Sequence, residues 1–214
     1  MADRVLLTGL GVSIYTWSVR FCLAEKGVGF DFAEVDPFAD GADARLSPFG
    51  RVPVLRHGTF ELYETAAILR YVDRAFDGPP LEPGEPRAAA RMAQVMAIAD
   101  AYAYWPLVRQ VYAQRVFAPR EGGVPDEGVI AEGLAAARRV LGALEVIAAE
   151  GLWPREGPSL ADMHLAPMLA AFAEAPEGAE LLDACPALTD WLARVSARPA
   201  FVTTRHLALG WRGL

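Results

Sequence analysis

Thiols are scarce in this chain of 214 residues, which holds only two cysteines, Cys22 and Cys185. Two cysteines without metal-like spacing exclude a disulfide framework and a thiolate metal site, and both are expected as reduced thiols. Histidine is nearly as rare, at three. His57, His164 and His206 stand singly, with no ligand spacing between them, so no metal is expected. Basic charge is short as well: 20 lysines and arginines against 27 acids leave a net charge of −7. A nucleic-acid partner needs a basic face, so that class is excluded. No apolar run approaches the ~18 residues of a membrane span, so no membrane is expected either. The apolar stretch within Met1 to Leu7 is too short for a signal peptide, and the expected location is the cytoplasm. Internal repeats and low-complexity tracts are absent too.

What the chain has is apolar content. At 53% hydrophobic and 22% charged it reads as globular, with material for one large or two small domains. Arg4 to Thr8 reads as a strand running into Gly9-Leu10-Gly11. Thr16 to Lys26 places Val19, Cys22, Leu23 and the Lys26 stem at helical spacing, and Gly27 is its stop. Phe30 to Val35 alternates as a strand does. Asp36 to Leu46 reads as irregular or as a short helix. Val54 to Arg56 and Phe60 to Tyr63 form a hairpin around His57-Gly58-Thr59, and Glu64 to Arg74 a helix. The order through residue 76 is therefore β-α-β-α-β-β-α. Pro79, Pro80, Pro83 and Pro86 make 77–86 a linker. After it everything reads as helix: Arg87 to Val116, Val129 to Ala149, a helix opened by the capping box Ser159-Leu160-Ala161-Asp162, and Ala187 to Ala197. The last of these lines up Leu188, Trp191, Leu192 and Val195.

Gly50-Arg51-Val52-Pro53 is the most informative segment. Proline cannot donate to a sheet ladder, so Pro53 belongs at a strand's first residue, and a cis Val52–Pro53 bond would turn the Val52 backbone outward. Further on, Glu64-Thr65 ends a strand and opens a helix. Free N–H groups at a helix start favour an anion, and Glu64 beside them favours an amine. The two pieces suit a ligand with a peptide-like amide, a carboxylate and an ammonium group. Gly9-Leu10-Gly11 after a strand hints at a dinucleotide loop. Ile14 fills the third glycine's slot, however, and the second half lacks alternating strands, so that reading is set aside.

A β-α-β-α-β-β-α unit with proline at its third strand resembles the thioredoxin fold. With the helical second half, the whole chain resembles a cytosolic glutathione S-transferase of a serine-type, bacterial-like kind. The resemblance is carried by Val12-Ser13-Ile14-Tyr15-Thr16-Trp17-Ser18-Val19-Arg20, Ala24-Glu25-Lys26-Gly27, Ser47-Pro48-Phe49-Gly50-Arg51-Val52-Pro53-Val54-Leu55, Glu64-Thr65-Ala66-Ala67-Ile68-Leu69-Arg70-Tyr71 and Ser159-Leu160-Ala161-Asp162. It implies an α/β plus all-α fold class: a thioredoxin-like glutathione-binding domain over 1–76, the linker, and an all-helical domain over 87–214 that contributes the electrophile pocket. Two positions depart from the family pattern. Ile14 stands where proline is common, and Thr65 where serine is more frequent.

The resemblance further implies glutathione as substrate, its thiol ionised for attack on an electrophilic small molecule. A free thiol has a pKa of about 8.5 and the thiolate is the nucleophile. Lowering that value by about two units takes roughly 2.7 kcal/mol of differential stabilisation. A hydroxyl hydrogen bond and the positive end of a helix can supply it. Ser13 is the implied donor; the Tyr15 phenol competes for the role, and Thr16 is an alternative helix cap. No sulfur stands in Ser13-Ile14-Tyr15-Thr16, so two-cysteine disulfide exchange is unavailable, and Cys22 reads as a buried small hydrophobe. Val52, held by Pro53, is to pair with the cysteinyl amide. Glu64 is to take the γ-glutamyl ammonium and Thr65 the γ-glutamyl carboxylate. Arg51 either reaches the glycyl carboxylate or is a solvated surface arginine.

For the electrophile the implied contacts are Tyr15, Tyr102, Trp105 and Arg109. The last three lie with Ile98 and Tyr112 on one stripe at i, i+4, i+7 spacing; core packing is the alternative for each. Pro106 is expected to kink this helix and Trp211 to roof the pocket. Asp100 is a candidate to touch the partner subunit's ligand. Ser159 and Asp162 are assigned to folding. A two-fold homodimer is expected, with Phe49 either inserted into the partner or packed on its own turn. Glutathione-dependent isomerisation or peroxide reduction, and a non-catalytic binding or regulatory role, are the alternative functions on this scaffold.

Overall fold

The computed structural model describes residues 4–39, 47–151, 153 and 157–208. It divides into two compact units, one running to Leu81 and resuming at Arg198, the other spanning Glu82–Ala197.

The first unit is built on a four-stranded sheet in the order β2-β1-β3-β4, with β1 (Val5–Gly9), β2 (Asp31–Glu34), β3 (Val54–His57) and β4 (Phe60–Tyr63). β1 and β2 are parallel, which requires a crossover, and helix α1 (Ile14–Glu25) provides it. β3 runs antiparallel to both β1 and β4. Helix α2 (Thr65–Ala75) follows β4 and buries Ile68, Leu69 and Val72. Among the described residues the order is thus β-α-β-β-β-α; most of the short helix expected between β2 and β3 falls on 40–46, outside them.

α1 is buried at nine consecutive or near-consecutive positions from Ile14 to Leu23, because it is packed on more than one side. α2 covers one side, and helix α9 (Pro199–Ala208) covers another. Phe201 of α9 seats against Trp17 and Phe21, with ring centroids at 4.9 and 5.3 Å. The Trp17 indole donates to Thr204 Oγ1 at 3.1 Å, and Arg198 pairs with Glu25. These contacts group α9 with the sheet unit, whereas the sequence places the whole of 87–214 in the helical domain. The linker is anchored by Lys26, the only lysine in the chain. Its buried Nζ donates to Asp73 Oδ1, to the Asp73 carbonyl and to the Pro79 carbonyl, at 3.0–3.1 Å. Asp73 Oδ1 in turn accepts the Leu81 N–H at 2.9 Å.

The second unit contains α3 (Pro86–Ile98), α4 (Ala99–Phe117), α5 (Glu127–Ala149), α6 (Leu160–Phe172), α7 (Pro176–Asp183) and α8 (Pro186–Ser196). α4 continues α3 in the wider i→i+5 register, so that the Ala118 N–H bonds the Ala113 carbonyl, with Pro106 inside it. Every residue of α6 is buried, and its two polar side chains, Asp162 and His164, are both hydrogen-bonded. α5 crosses α4 closely at Gly133, where a Cβ would stand 2.7 Å from Gln110 Cβ and 3.1 Å from the Pro106 carbonyl oxygen.

Candidate active site

The sheet register brings three segments to one end of the first unit. Thr8 of β1 lies opposite Val54 of β3, and Val54 lies opposite Tyr63 of β4. Neighbouring strands are about 4.8 Å apart. The loop leaving β1, the turn entering β3 and the start of α2 after β4 therefore emerge side by side. They carry Ser13, Val52-Pro53 and Glu64-Thr65.

Ser13 is the N-cap of α1, with φ −72° and ψ 127°, and its Oγ accepts the Thr16 N–H at 3.3 Å. The helix starts two residues before the sequence spacing indicates. That makes Ser13, not Thr16, the cap; Thr16 is wholly buried. The hydroxyl uses a lone pair in a long bond, which leaves its O–H as a donor. It stands at the positive end of a twelve-residue helix.

The Val52–Pro53 bond is cis. The β3 ladder begins at Val54, so the Val52 N–H and C=O lie outside it. The preceding turn is closed by Ser47, whose Oγ accepts the Arg51 N–H at 3.0 Å, and by Gly50 at φ 60°. Arg51 is exposed, and its guanidinium lies 5.7 Å from the centre of the Phe38 ring. Phe49 is exposed and meets Tyr63 edge-on, ring centroids 6.0 Å apart.

Glu64 has φ 69°, the one positive φ among described residues other than glycine. Such a conformation costs of order 1–3 kcal/mol and persists where the surroundings impose it, most often at binding sites. Glu64 is the N-cap of α2, and its side chain makes no capping hydrogen bond. Thr65, the first residue of α2, is buried, and the N–H groups of a helix's first turn have no partner within the helix.

The expected aromatic stripe divides. Tyr102 and Trp105 are 66% and 62% exposed and Arg109 is exposed, whereas Ile98 is half-buried and Tyr112 is buried. Burial pushes the Tyr112 phenol up to about 12, and Glu174 adds to it. The wide turns of α4 break the 3.6-residue spacing that would have kept these side chains on one face. Tyr15 is half-buried in the first turn of α1. Asp100 is engaged within its own unit, its Oδ1 at 2.8 Å from His164 Nε2. His57 Nδ1 meets the Tyr71 hydroxyl at 2.8 Å. Trp211 and the His206 side chain lie outside the described residues.

Two charged residues that the sequence reading passed over hold the Ser13 loop. Gly11 donates its N–H to Glu34 Oε1 at 2.8 Å, and its carbonyl accepts from Arg20 Nη2 at 2.7 Å. An arginine inside the apolar run of α1 was the available signal, since arginine is almost never buried without a task.

Both thiols are inert by environment. Cys22 is fully buried, and burial together with Asp73 pushes its thiol well above the usual cysteine value; Cys185 is shifted upward by burial and Glu145. A raised pKa keeps the thiol protonated as the pH rises. Iodoacetamide at pH 9 is therefore expected to leave the native protein unmodified and to alkylate both cysteines after denaturation, as read by intact mass.

A thioredoxin-like sheet unit with a serine-capped first helix and a cis-proline turn, joined to a unit that is all helix, is the fold of the cytosolic glutathione S-transferases. The family's N-terminal domain matches residues 7–80 and its C-terminal domain residues 127–194. The two matches span well over half of the chain, which belongs to the glutathione S-transferase family. Glutathione S-transferase F14 of Arabidopsis thaliana is 29% identical, over 95% of this chain and 84% of its own. The apo structure of glutathione S-transferase III is 27% identical, with a TM-score of 0.85 and 99% of each chain covered. A theta-class enzyme from the citrus canker pathogen Xanthomonas axonopodis pv. citri, solved with glutathione bound, is 25% identical with a TM-score of 0.78, over 94% of this chain and 97% of that one.

Proposed function

We propose that this protein is a serine-type glutathione transferase that joins glutathione to electrophilic small molecules. The observation that carries the reading is the convergence, at one sheet end, of a free hydroxyl donor, an unpaired backbone edge and an uncapped helix start beside a strained acid. Glutathione offers a thiol, an amide and a zwitterionic end to match them. Val52 pairs with its cysteinyl amide, Thr65 and the α2 N–H groups take the γ-glutamyl carboxylate, and Glu64 takes the ammonium. In this reading Arg51, beside Val52, takes the glycyl carboxylate.

Ser13 donates its O–H to the sulfur, and the start of α1 adds positive potential. The thiol proton leaves to solvent. The thiolate then attacks an electrophilic carbon, forming a C–S bond as the leaving group departs with its electron pair. The side chains proposed to contact the electrophile are Tyr15, Tyr102, Trp105 and Arg109. The protein works as a cytoplasmic homodimer in this reading, with exposed Phe49 as a contact to the partner. No helix among the described residues is long and apolar enough to cross a membrane.

Titration calorimetry with glutathione, followed by turnover with an activated aryl halide, tests the proposal. Micromolar to millimolar binding and measurable turnover are expected, and absence of binding would overturn it. Glu64→Gln is expected to weaken glutathione binding about tenfold, the scale of one hydrogen bond to a charged group. Its kcat at saturation and its Tm should stay near wild type, because the Glu64 side chain is exposed.

A further inference from the structure

The Ser13 loop is gripped at Gly11, two residues before the hydroxyl. Glu34, at the end of β2, takes the Gly11 N–H, and Arg20, on α1, donates to its carbonyl. The fit is close: a Cβ at Gly11 would stand 3.0 Å from Glu34 Oε1. Arg20 is 1% exposed, and its Nε has no hydrogen-bond partner. Its guanidinium carbon lies 5.5 Å from the centre of the Phe32 ring. No carboxylate among the described residues comes within ion-pair distance of it. A buried cation so thinly compensated is costly, and a methionine would fill the same space more cheaply. Burial lowers the guanidinium to about 10, Glu34 opposes the shift, and Arg20 is therefore charged at neutral pH.

We propose that Arg20 is a positioning residue for the thiolate site: through Gly11 it aims the Ser13 loop, and its buried charge favours ionisation of the glutathione sulfur, with the Glu34 carboxylate as a counterweight. The inference rests on the function proposed above. The other charged groups around α1 are committed elsewhere. Glu25 pairs with Arg198 just before α9, Lys26 with Asp73 of α2, and Arg4, just before β1, with Asp31 of β2. Tyr15 lies in the first turn of α1, Glu64 at the start of α2, Asp36 just after β2 and Arg51 in the turn before β3, and Cys22 stays a thiol.

The test compares wild type, Arg20→Met, Arg20→Lys and Glu34→Gln. It reads glutathione Kd by calorimetry, the ultraviolet absorbance of the bound thiolate against pH, and the pH profile of kcat/KM with an aryl halide. Arg20→Met should move the midpoint alkaline by about one unit, a tenfold loss of thiolate at a fixed pH below it. Arg20→Lys should restore most of that shift. In Glu34→Gln the amide oxygen still accepts the Gly11 N–H while the negative charge is gone, so the midpoint should move to lower pH. Opposite signs are the mark of charge; a purely structural clamp would move both variants alkaline or neither, and either result overturns the proposal. If Arg20→Met fails to fold, Glu34→Gln decides alone, because its side chain is exposed. Wild type that binds no glutathione would overturn the proposed function itself. Binding and turnover with unmoved midpoints would overturn only this inference.

Discussion

Ser13→Ala is expected to lower kcat/KM for an aryl halide about a hundredfold at neutral pH, the scale for deleting one donor that stabilises an anion in an active site. The hydroxyl caps α1 through a long bond to the Thr16 N–H and keeps its own O–H as a donor at the positive end of the helix. Without it the bound thiol should titrate closer to its free value of about 8.5, and the pH profile should move alkaline by one unit or more. Glutathione affinity should change little, since in the proposed reading Glu64 and Thr65 take the γ-glutamyl end of the tripeptide and Val52 its cysteinyl amide. Stability should fall only slightly. Losing an N-cap costs about 0.5–2 kcal/mol, and a bond of 3.3 Å belongs at the weak end. Ser13→Thr keeps the hydroxyl and should retain most of the rate. If Ser13→Ala keeps both its rate and its profile while Tyr15→Phe loses them, the donor is Tyr15 instead.

The candidate site was legible largely because its parts are local. Pro53 cannot sit inside a ladder, so a strand had to start there, and the hairpin that follows fixes which strand end it shares with Tyr63. Ser159-Leu160-Ala161-Asp162 likewise states its own helix start. The start of α1 was misplaced by two residues for a tertiary reason: Ile14 and Thr16 are buried by packing that propensity does not see. α7 and α9 went unread although each begins with proline in its first turn, as α8 does. What gathers α9 onto α1 is the Phe201 contact with Trp17 and Phe21, some 180 residues away along the chain, and no local pattern announces it. Arg20 was hidden in the same way. Its meaning depends on Gly11 and Glu34, which the crossover from β1 to β2 brings together.

Asp162→Ala is expected to be the most destabilising single change in the helical unit. The carboxylate is wholly buried, and its Oδ1 accepts from the indoles of Trp153 and Trp191 at 2.9 and 2.7 Å. Its Oδ2 accepts the Ser159 N–H at 2.7 Å, while Ser159 Oγ accepts the Asp162 N–H at 3.4 Å. Burial pushes this carboxyl above the ordinary aspartate range, and the donors from Trp191, Ser159 and Trp153 pull it back. One side chain thus ties the start of α6 to α8 and to the segment before it. Alanine leaves two indole N–H groups and one amide N–H buried without an acceptor, each at about 1–3 kcal/mol. That amide N–H is also the half of the capping box that is lost. A total of about 4 kcal/mol or more is a large share of the 5–15 kcal/mol that holds a typical domain. Asp162→Asn separates the terms. Its carbonyl oxygen can serve both indoles, but its amide nitrogen would face the Ser159 N–H, donor against donor. A loss of about 2 kcal/mol is expected there, with the glutathione Kd of the folded fraction unchanged. Urea unfolding followed by tryptophan fluorescence reads both variants, and an Asp162→Ala protein within 1 kcal/mol of wild type would contradict the assignment.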